Sequence, residues 1–427
     1  MNFNVDINRT KVGGIDVITS PMTHMSSVTL GVWIKVGGRN ETAKTSGISH
    51  LIEHMLFKGS LTRSAKDLKE SIEGVGGLFN AFTSDETTCY MVKVPSKYTD
   101  RALEILADMV TNPKFDPIEL EKEKFVVCEE INMYKDQPAE KVLENLAQMM
   151  WPDDPLGRPL TGTIENVKAF TRKDLRNFKN KYYVPENMSV IASGNIEQNK
   201  FVEKVGEIFE KKKSNNVFSY KTPRIKQKNE CFSVETGNTN QAHMAMGFRT
   251  IANDTNGRVI NSLLNVILGG NMSSRLFEEL REKNGLCYDI GSSYKRHKDV
   301  GEFVVHAGVD NNKAAFSNEA ILKELKKLKT ENVSDEELTR AKEYSKGQFL
   351  LALESTSARM MWLGDNYITD GKIPDVNNIL KKVDNVTSEN VRKTSCDLFL
   401  PENLNLSIIG KINAKDKAHI KKMIKQL

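Results

Sequence analysis

The chain of 427 residues exceeds what one hydrophobic core ordinarily serves, so two or more domains are expected. With 39% hydrophobic and 27% charged residues, it has the make-up of a folded globular protein and not of a disordered one. Its net charge of +5 arises from 61 basic and 56 acidic residues scattered along the whole length, which argues against a dedicated nucleic-acid surface.

Met1 to Thr10 hold no apolar core of the kind a secretion signal needs. Nowhere does an apolar run reach the roughly 18 residues that span a bilayer, so no membrane segment is expected. Met25 to Val36 reads as a strand. Residues 46–58 read as a helix, because Ile48, Leu51, Ile52, Met55 and Leu56 recur at helical spacing. Gly76 to Ser84 passes for an ordinary strand and turn, and Thr88 to Val94 alternates as a strand. Ala102 to Val110 and Glu119 to Tyr134 return to helical spacing. Thr171 to Leu175 opens a capped helix, Pro185-Glu-Asn187 turns the chain, and an apolar strand then runs to Gly194. The lysine-rich stretches Lys211–Asn216 and Lys221–Asn229 carry turn formers without periodicity and read as a linker.

Beyond the linker the pattern repeats. Thr387-Ser-Glu-Asn-Val391 and Pro401-Glu-Asn403 stand 216 residues after Thr171 and Pro185, again as a capped helix, a turn and an apolar strand. Asn240 to Ile251 resembles Met25 to Val36 more loosely, both strand-like. The expected fold is therefore α+β, with two homologous domains, each a mixed, largely antiparallel sheet packed with helices. Their expected bounds are 1–212 and 230–427, with a linker at 213–229. Cys89, Cys128, Cys231, Cys287 and Cys396 are odd in number and far apart, which suits reduced thiols and a cytoplasmic setting.

Only seven histidines occur, and two of them sit in His50-Leu-Ile-Glu-His54. On a helix His50, Glu53 and His54 share a face. Two imidazoles one turn apart can grip one zinc ion, and the carboxylate beside them can take a proton from water there. The order His-x-x-Glu-His is the inverted zinc-peptidase motif. A catalytic zinc ordinarily takes a third protein ligand. The run 118–134 offers Glu123 and Glu130, seven apart on the stripe of Leu120, Val127, Ile131 and Tyr134, where a carboxylate without a partner would be costly. Glu119, Glu121 and Glu129 suit a solvated face. In the second half a shift of 216 sets Val266, Gly269 and Gly270 against His50, Glu53 and His54, so that half lacks the metal equipment. His24, His243, His297, His306 and His419 show no ligand spacing.

Gly47-Ile-Ser-His-Leu-Ile-Glu-His-Met-Leu-Phe-Lys-Gly59 resembles the active-site helix of the pitrilysin/insulinase peptidases. The length and the paired halves are similar to the mitochondrial-processing-peptidase-like branch with its bacterial members. The resemblance covers essentially the whole chain. It implies that His50, His54 and Glu130 hold one zinc ion per chain, that Glu53 is the general base and that Glu123 supports the site. It also implies that Asn80, Ala81 and Phe82 lie on an edge strand where a peptide adds as a further strand. In the second half, Phe277 to Arg281 and Gly285 to Tyr288 resemble the family's arginine and tyrosine motif, which implies that Arg281 and Tyr288 donate hydrogen bonds to the substrate carbonyl. Longer members close four such domains into a clamshell, so a homodimer is implied for this chain. The expected activity is zinc-dependent hydrolysis of peptides or unfolded polypeptides. The alternative is a non-catalytic scaffold or assembly subunit of the same fold.

Overall fold

The computed structural model describes residues 5–209, 220–223, 227–251 and 255–427. Of the expected linker, residues 213–219 and 224–226 lie outside the described residues. Two compact units are present, one built from residues 1–132, 158–221 and 350–376, the other from 133–157, 222–349 and 377–427.

The first unit holds strands β1 (Asn8–Val12), β2 (Ile15–Pro21), β3 (Ser27–Ile34), β4 (Leu78–Thr83), β5 (Thr88–Pro95) and β6 (Met188–Gly194). They form one sheet in the order β1-β2-β6-β3-β5-β4, antiparallel throughout except for the parallel pair β2 and β6. The second unit holds β7 (Cys231–Glu235), β8 (Gln241–Ile251), β9 (Cys287–Arg296), β10 (Val300–Asp310) and β11 (Leu404–Ile409). Their order is β7-β11-β8-β10-β9, and again one pair, β7 with β11, is parallel. This order reproduces β2-β6-β3-β5-β4 strand for strand. The duplication read from Thr171/Thr387 and Pro185/Pro401 thus extends to five strands of each sheet, with β1 added at the edge of the first. Both threonines cap their helices with a reciprocal box, to Asp174 and to Asn390.

Burial follows the two-residue period of the strands. In β3, Val28, Leu30, Val32 and Ile34 enter the main core with Leu51, Ile52, Leu103 and Leu106. Trp33 faces the other way and packs with Ile18, Ile191, Met360 and Leu363. The strand is therefore apolar on both sides, and both sides need a cover. The second cover is the helix Thr356–Asp370, seated so close that a Cβ on Gly364 would lie 2.1 Å from the Trp33 ring. In the second unit the helix Pro138–Met150 covers the corresponding face of β8 and β11 through Val142, Leu146 and Met150.

These two helices set the compact units apart from the contiguous halves expected from the sequence. Each is encoded in one half and packed in the unit that holds the other half's sheet. The physical cause is the apolar outer face of each sheet, which the helices of its own half leave uncovered. Among the described residues, no helix is long and apolar enough to cross a membrane.

Candidate metal centre

The helix Ile48–Leu56 carries the histidine pair. Its buried face, Ile48, Leu51, Ile52, Met55 and Leu56, enters the core and leaves His50, Glu53 and His54 on the other side. Gly47 precedes it with φ +93 and supplies no side-chain cap. A Cβ at Gly47 would lie 2.6 Å from the Thr161 carbonyl oxygen, so both conformation and space require glycine. The missing cap is replaced from a distance. Glu41, buried, accepts hydrogen bonds from the Gly47 and Ser49 amides at 2.8 Å each. Burial pushes its carboxyl up to about 7, against the hydrogen bonds from Ser49 and Gly47 and the charge of Arg158.

One turn apart on this helix, the His50 and His54 rings meet with centroids 4.6 Å apart. Glu130, on the helix Pro117–Lys135, points a carboxylate oxygen between them. Its Oε2 lies 3.7 Å from His50 Nε2 and 3.6 Å from His54 Nε2. Among the described residues this is the one group of three histidine, cysteine, aspartate or glutamate side chains whose ligand atoms all lie within 4.8 Å of one another. Ligands about 2.0–2.1 Å from a tetrahedral zinc stand about 3.3–3.4 Å apart, so the observed spacing fits such an ion with slight opening. Two imidazole nitrogens and one carboxylate oxygen are also the donor types zinc prefers.

The surroundings tune these groups. Burial, then the nearby His54, pushes the His50 imidazole down to about 4, which leaves it neutral and able to donate a lone pair. His54 moves the other way. Burial opposes its protonation, but the hydrogen bond to Glu123 and the charges of Glu123, Glu130 and Glu53 prevail and raise its pKa. The Glu123 contact runs from His54 Nδ1 to Oε2 at 3.1 Å, and Lys58 Nζ meets the opposite oxygen at 2.5 Å. Glu123 is therefore a buried carboxylate held on both sides, one side fixing the imidazole of His54. Glu119, Glu121 and Glu129 take no part. The first two pair with Lys122 and Lys124 on the same helix, and Glu129 is exposed.

Glu53 shares the outward face of the helix. Burial raises its pKa, and Thr83 at the end of β4 donates a hydrogen bond of 2.6 Å to its Oε2. Among the described residues, strand β4 is the last of its sheet, and no strand pairs with its outer edge. There the exposed Asn80 turns its side-chain oxygen onto the Ala81 amide at 2.8 Å. Phe82 stacks edge-on against Trp33 at 5.6 Å, so its ring belongs to the packing under the helix Thr356–Asp370.

Arg281 and Tyr288 lie together in the second unit. Residues Phe277–Lys283 wind as a π-helix, and the Arg281 guanidinium sits 4.7 Å from the Phe277 ring centre and 4.5 Å from that of Tyr288. Arg281 Nη1 also donates to the Tyr288 carbonyl at 2.9 Å. A register shift in the pairing of β9 with β10 falls between Gly308 and Val309, which pair with Asp289 and Cys287, and leaves Tyr288 between them without a partner. Tyr288 is 77% exposed. The second unit's helix Thr255–Leu268, which follows β8 as Ile48–Leu56 follows β3, contains no histidine, cysteine, aspartate or glutamate.

Three functional candidates escaped the sequence. Lys58 stands one turn after His54, a spacing that could have signalled it. Thr83 and Glu41 are bound to their partners only through the fold.

Two family models match the chain: "Insulinase (Peptidase family M16)" over residues 17–164, and "Peptidase M16 inactive domain" over 169–344. "Uncharacterized zinc protease YmxG" of Bacillus subtilis is 36% identical over 402 residues, covering 93% of this chain and 96% of the relative. An "Uncharacterized zinc protease" of Streptomyces coelicolor is 34% identical, covering 96% of this chain and 90% of its own length. Among solved structures, a protease from Helicobacter pylori superposes with a TM-score of 0.90 at 24% identity, covering 96% of this chain and all (100%) of that one. A "peptidase M16 inactive domain" from Pseudomonas fluorescens gives 0.87 at 18%, covering 96% and 99%. The two structures speak to the fold alone. On the family models and the sequence relatives, the chain belongs to the insulinase family of peptidases, M16.

Proposed function

We propose that the chain is a zinc-dependent endopeptidase acting on peptides or unfolded polypeptides. The observation that carries this reading is the convergence of His50, His54 and Glu130 on one point, with Glu53 beside them on the same helix. The relatives' names, zinc proteases, support it. His50 Nε2, His54 Nε2 and Glu130 Oε2 would hold one zinc ion per chain. When bound there, the ion supplies Lewis acidity and makes water acidic enough to lose a proton near neutral pH.

The remaining work falls to the chain's own groups. Glu53 takes the proton of the attacking water on a carboxylate oxygen and returns it to the amine that leaves as the peptide bond breaks. Glu123 holds His54 in the tautomer with its proton on Nδ1, so that Nε2 remains a ligand. The free edge of β4, with Asn80, Ala81 and Phe82, receives the substrate backbone as an added strand, which only a polypeptide can supply. In doing so the substrate displaces the Asn80 side chain from the Ala81 amide. Arg281 and Tyr288 donate to the substrate carbonyl as negative charge develops on its oxygen. They do so in a homodimer, each copy's pair serving the metal centre of the other. The free cysteines support a reducing, cytoplasmic setting.

The test is Glu53→Gln, which keeps the shape of the side chain and removes its basicity. Zinc content should stay at the wild-type level while cleavage of a mixed peptide substrate falls by roughly 10²- to 10⁴-fold. Normal cleavage by this variant would refute the mechanism. A fully active monomer in sedimentation would refute the dimer.

A further inference from the structure

The carboxylate of Glu53 has two oxygens with different surroundings. Its Oε2 accepts the Thr83 hydroxyl at 2.6 Å, while Oε1 accepts no hydrogen bond from the described residues. One oxygen is therefore fixed and the other remains available to a proton. The contact spans 30 residues and joins two elements, the helix Ile48–Leu56 and strand β4. Thr83 closes β4, paired with Thr88 of β5, whose hydroxyl is in turn anchored on the Val36 carbonyl at 2.9 Å. By the two-residue period Thr83 shares a face with Ala81 and Phe79, and Phe79 packs on Phe57 just past the end of the helix. Strand and helix are thus joined at both ends of their contact, by an aromatic pair at one end and the Thr83–Glu53 bond at the other.

We propose that Thr83 is a positioning residue that ties the base Glu53 to the strand on which substrate is laid. This rests on the peptidase reading above. Its hydroxyl holds Oε2 and so aims Oε1 at the reacting water. Because Thr83 belongs to β4, a peptide backbone that pairs along the free edge stiffens the element that aims the base. Binding along the strand then contributes to the rate of the chemical step and not only to affinity.

The test compares wild type, Thr83→Val, which keeps the shape and loses the donor, and Thr83→Ser, which keeps the donor. Each is assayed with a long peptide able to cover β4 and with a truncated one carrying the same cleavage site. Zinc content and thermal midpoint are measured alongside. Thr83→Val should lose about 10- to 100-fold in kcat on the long peptide, with KM within about threefold and zinc content unchanged. Thr83→Ser should keep most of the rate. In wild type the long peptide should have the higher kcat, and in Thr83→Val that advantage should shrink. Should Thr83→Val fail to fold, Thr83→Ala reports the same loss of the donor.

Full kcat in the variant lacking the hydroxyl would overturn the inference. So would equal losses in Thr83→Val and Thr83→Ser, or a loss of zinc in parallel with rate, since either marks a purely structural role. A length advantage that survives in Thr83→Val would sink the link to the strand. A zinc-loaded wild type that cleaves neither peptide nor a mixed library would remove the peptidase reading itself, and this inference with it.

Discussion

The helices Ile48–Leu56 and Thr255–Leu268 follow equivalent strands of two sheets that share one strand order. The first carries His50, Glu53 and His54 on its outward face, whereas the second has no metal-ligating side chain at all. Both bury leucine and isoleucine against their sheets, so the same packing supports both. The difference lies in the few outward positions, which the fold leaves free to change. Chemistry in this molecule is thus a property of side chains placed on a scaffold and not of the scaffold. The second unit departs elsewhere, in the π-helix under Arg281 and the shifted register at Tyr288.

The contrast breaks most sharply at His54. Its replacement by alanine should abolish both zinc binding and cleavage, whereas Glu53→Gln should abolish cleavage alone, and metal analysis beside a peptide assay separates the two. Arg281→Ala addresses the other unit. Zinc content should not change, and kcat/KM should fall roughly 10²- to 10³-fold if a donor to the developing oxyanion is lost. An unchanged kcat/KM would leave the second unit without a catalytic part.

Smaller effects sharpen the account of the first unit. Glu123→Gln should weaken zinc binding about 10- to 100-fold, read by competition with a chelator, because His54 loses a charged partner. Asp108 fixes the segment after the helix Ile48–Leu56 through Ser60, Thr62 and Arg63, and also binds Asn112. Burial opposes its ionisation, but these hydrogen bonds outweigh burial and lower its pKa. A lowered folded-state pKa gives stability that is fully present above the unfolded value of about 3.9 and is lost as pH falls through the folded value. Asp108→Asn should therefore cost about 1–3 kcal/mol near neutral pH. Its urea midpoint should also fall less than that of wild type between about pH 5 and about pH 2.5.

Much of this was legible in the sequence because it is local. Ile48, Leu51, Ile52, Met55 and Leu56 give the helix, and the helix brings His50 and His54 to one side. Glu130 was legible as one of two carboxylates on an apolar stripe, and the structure places Leu120, Val127 and Ile131 of that stripe in the core. What escaped is non-local. Apolar periodicity shows that Trp33 needs a cover but not that residues 356–370 supply it. The Thr83 bond to Glu53 and the Glu41 cap on Gly47 and Ser49 depend on how strands and loops close on the helix, which no spacing records. The winding at Phe277–Lys283 is a matter of backbone hydrogen bonding, to which side-chain patterns are blind.

In the mechanism proposed above, the first unit's side chains bind one zinc ion and use it to cut peptides. The most direct test is the metal content of the purified protein, read together with chelator-sensitive cleavage of a quenched-fluorescent peptide library. The expected result is about one zinc ion per chain and cleavage that stops when the metal is removed. Protein that takes up no zinc and cuts no peptide would contradict it and favour a scaffold that has kept the fold without the chemistry.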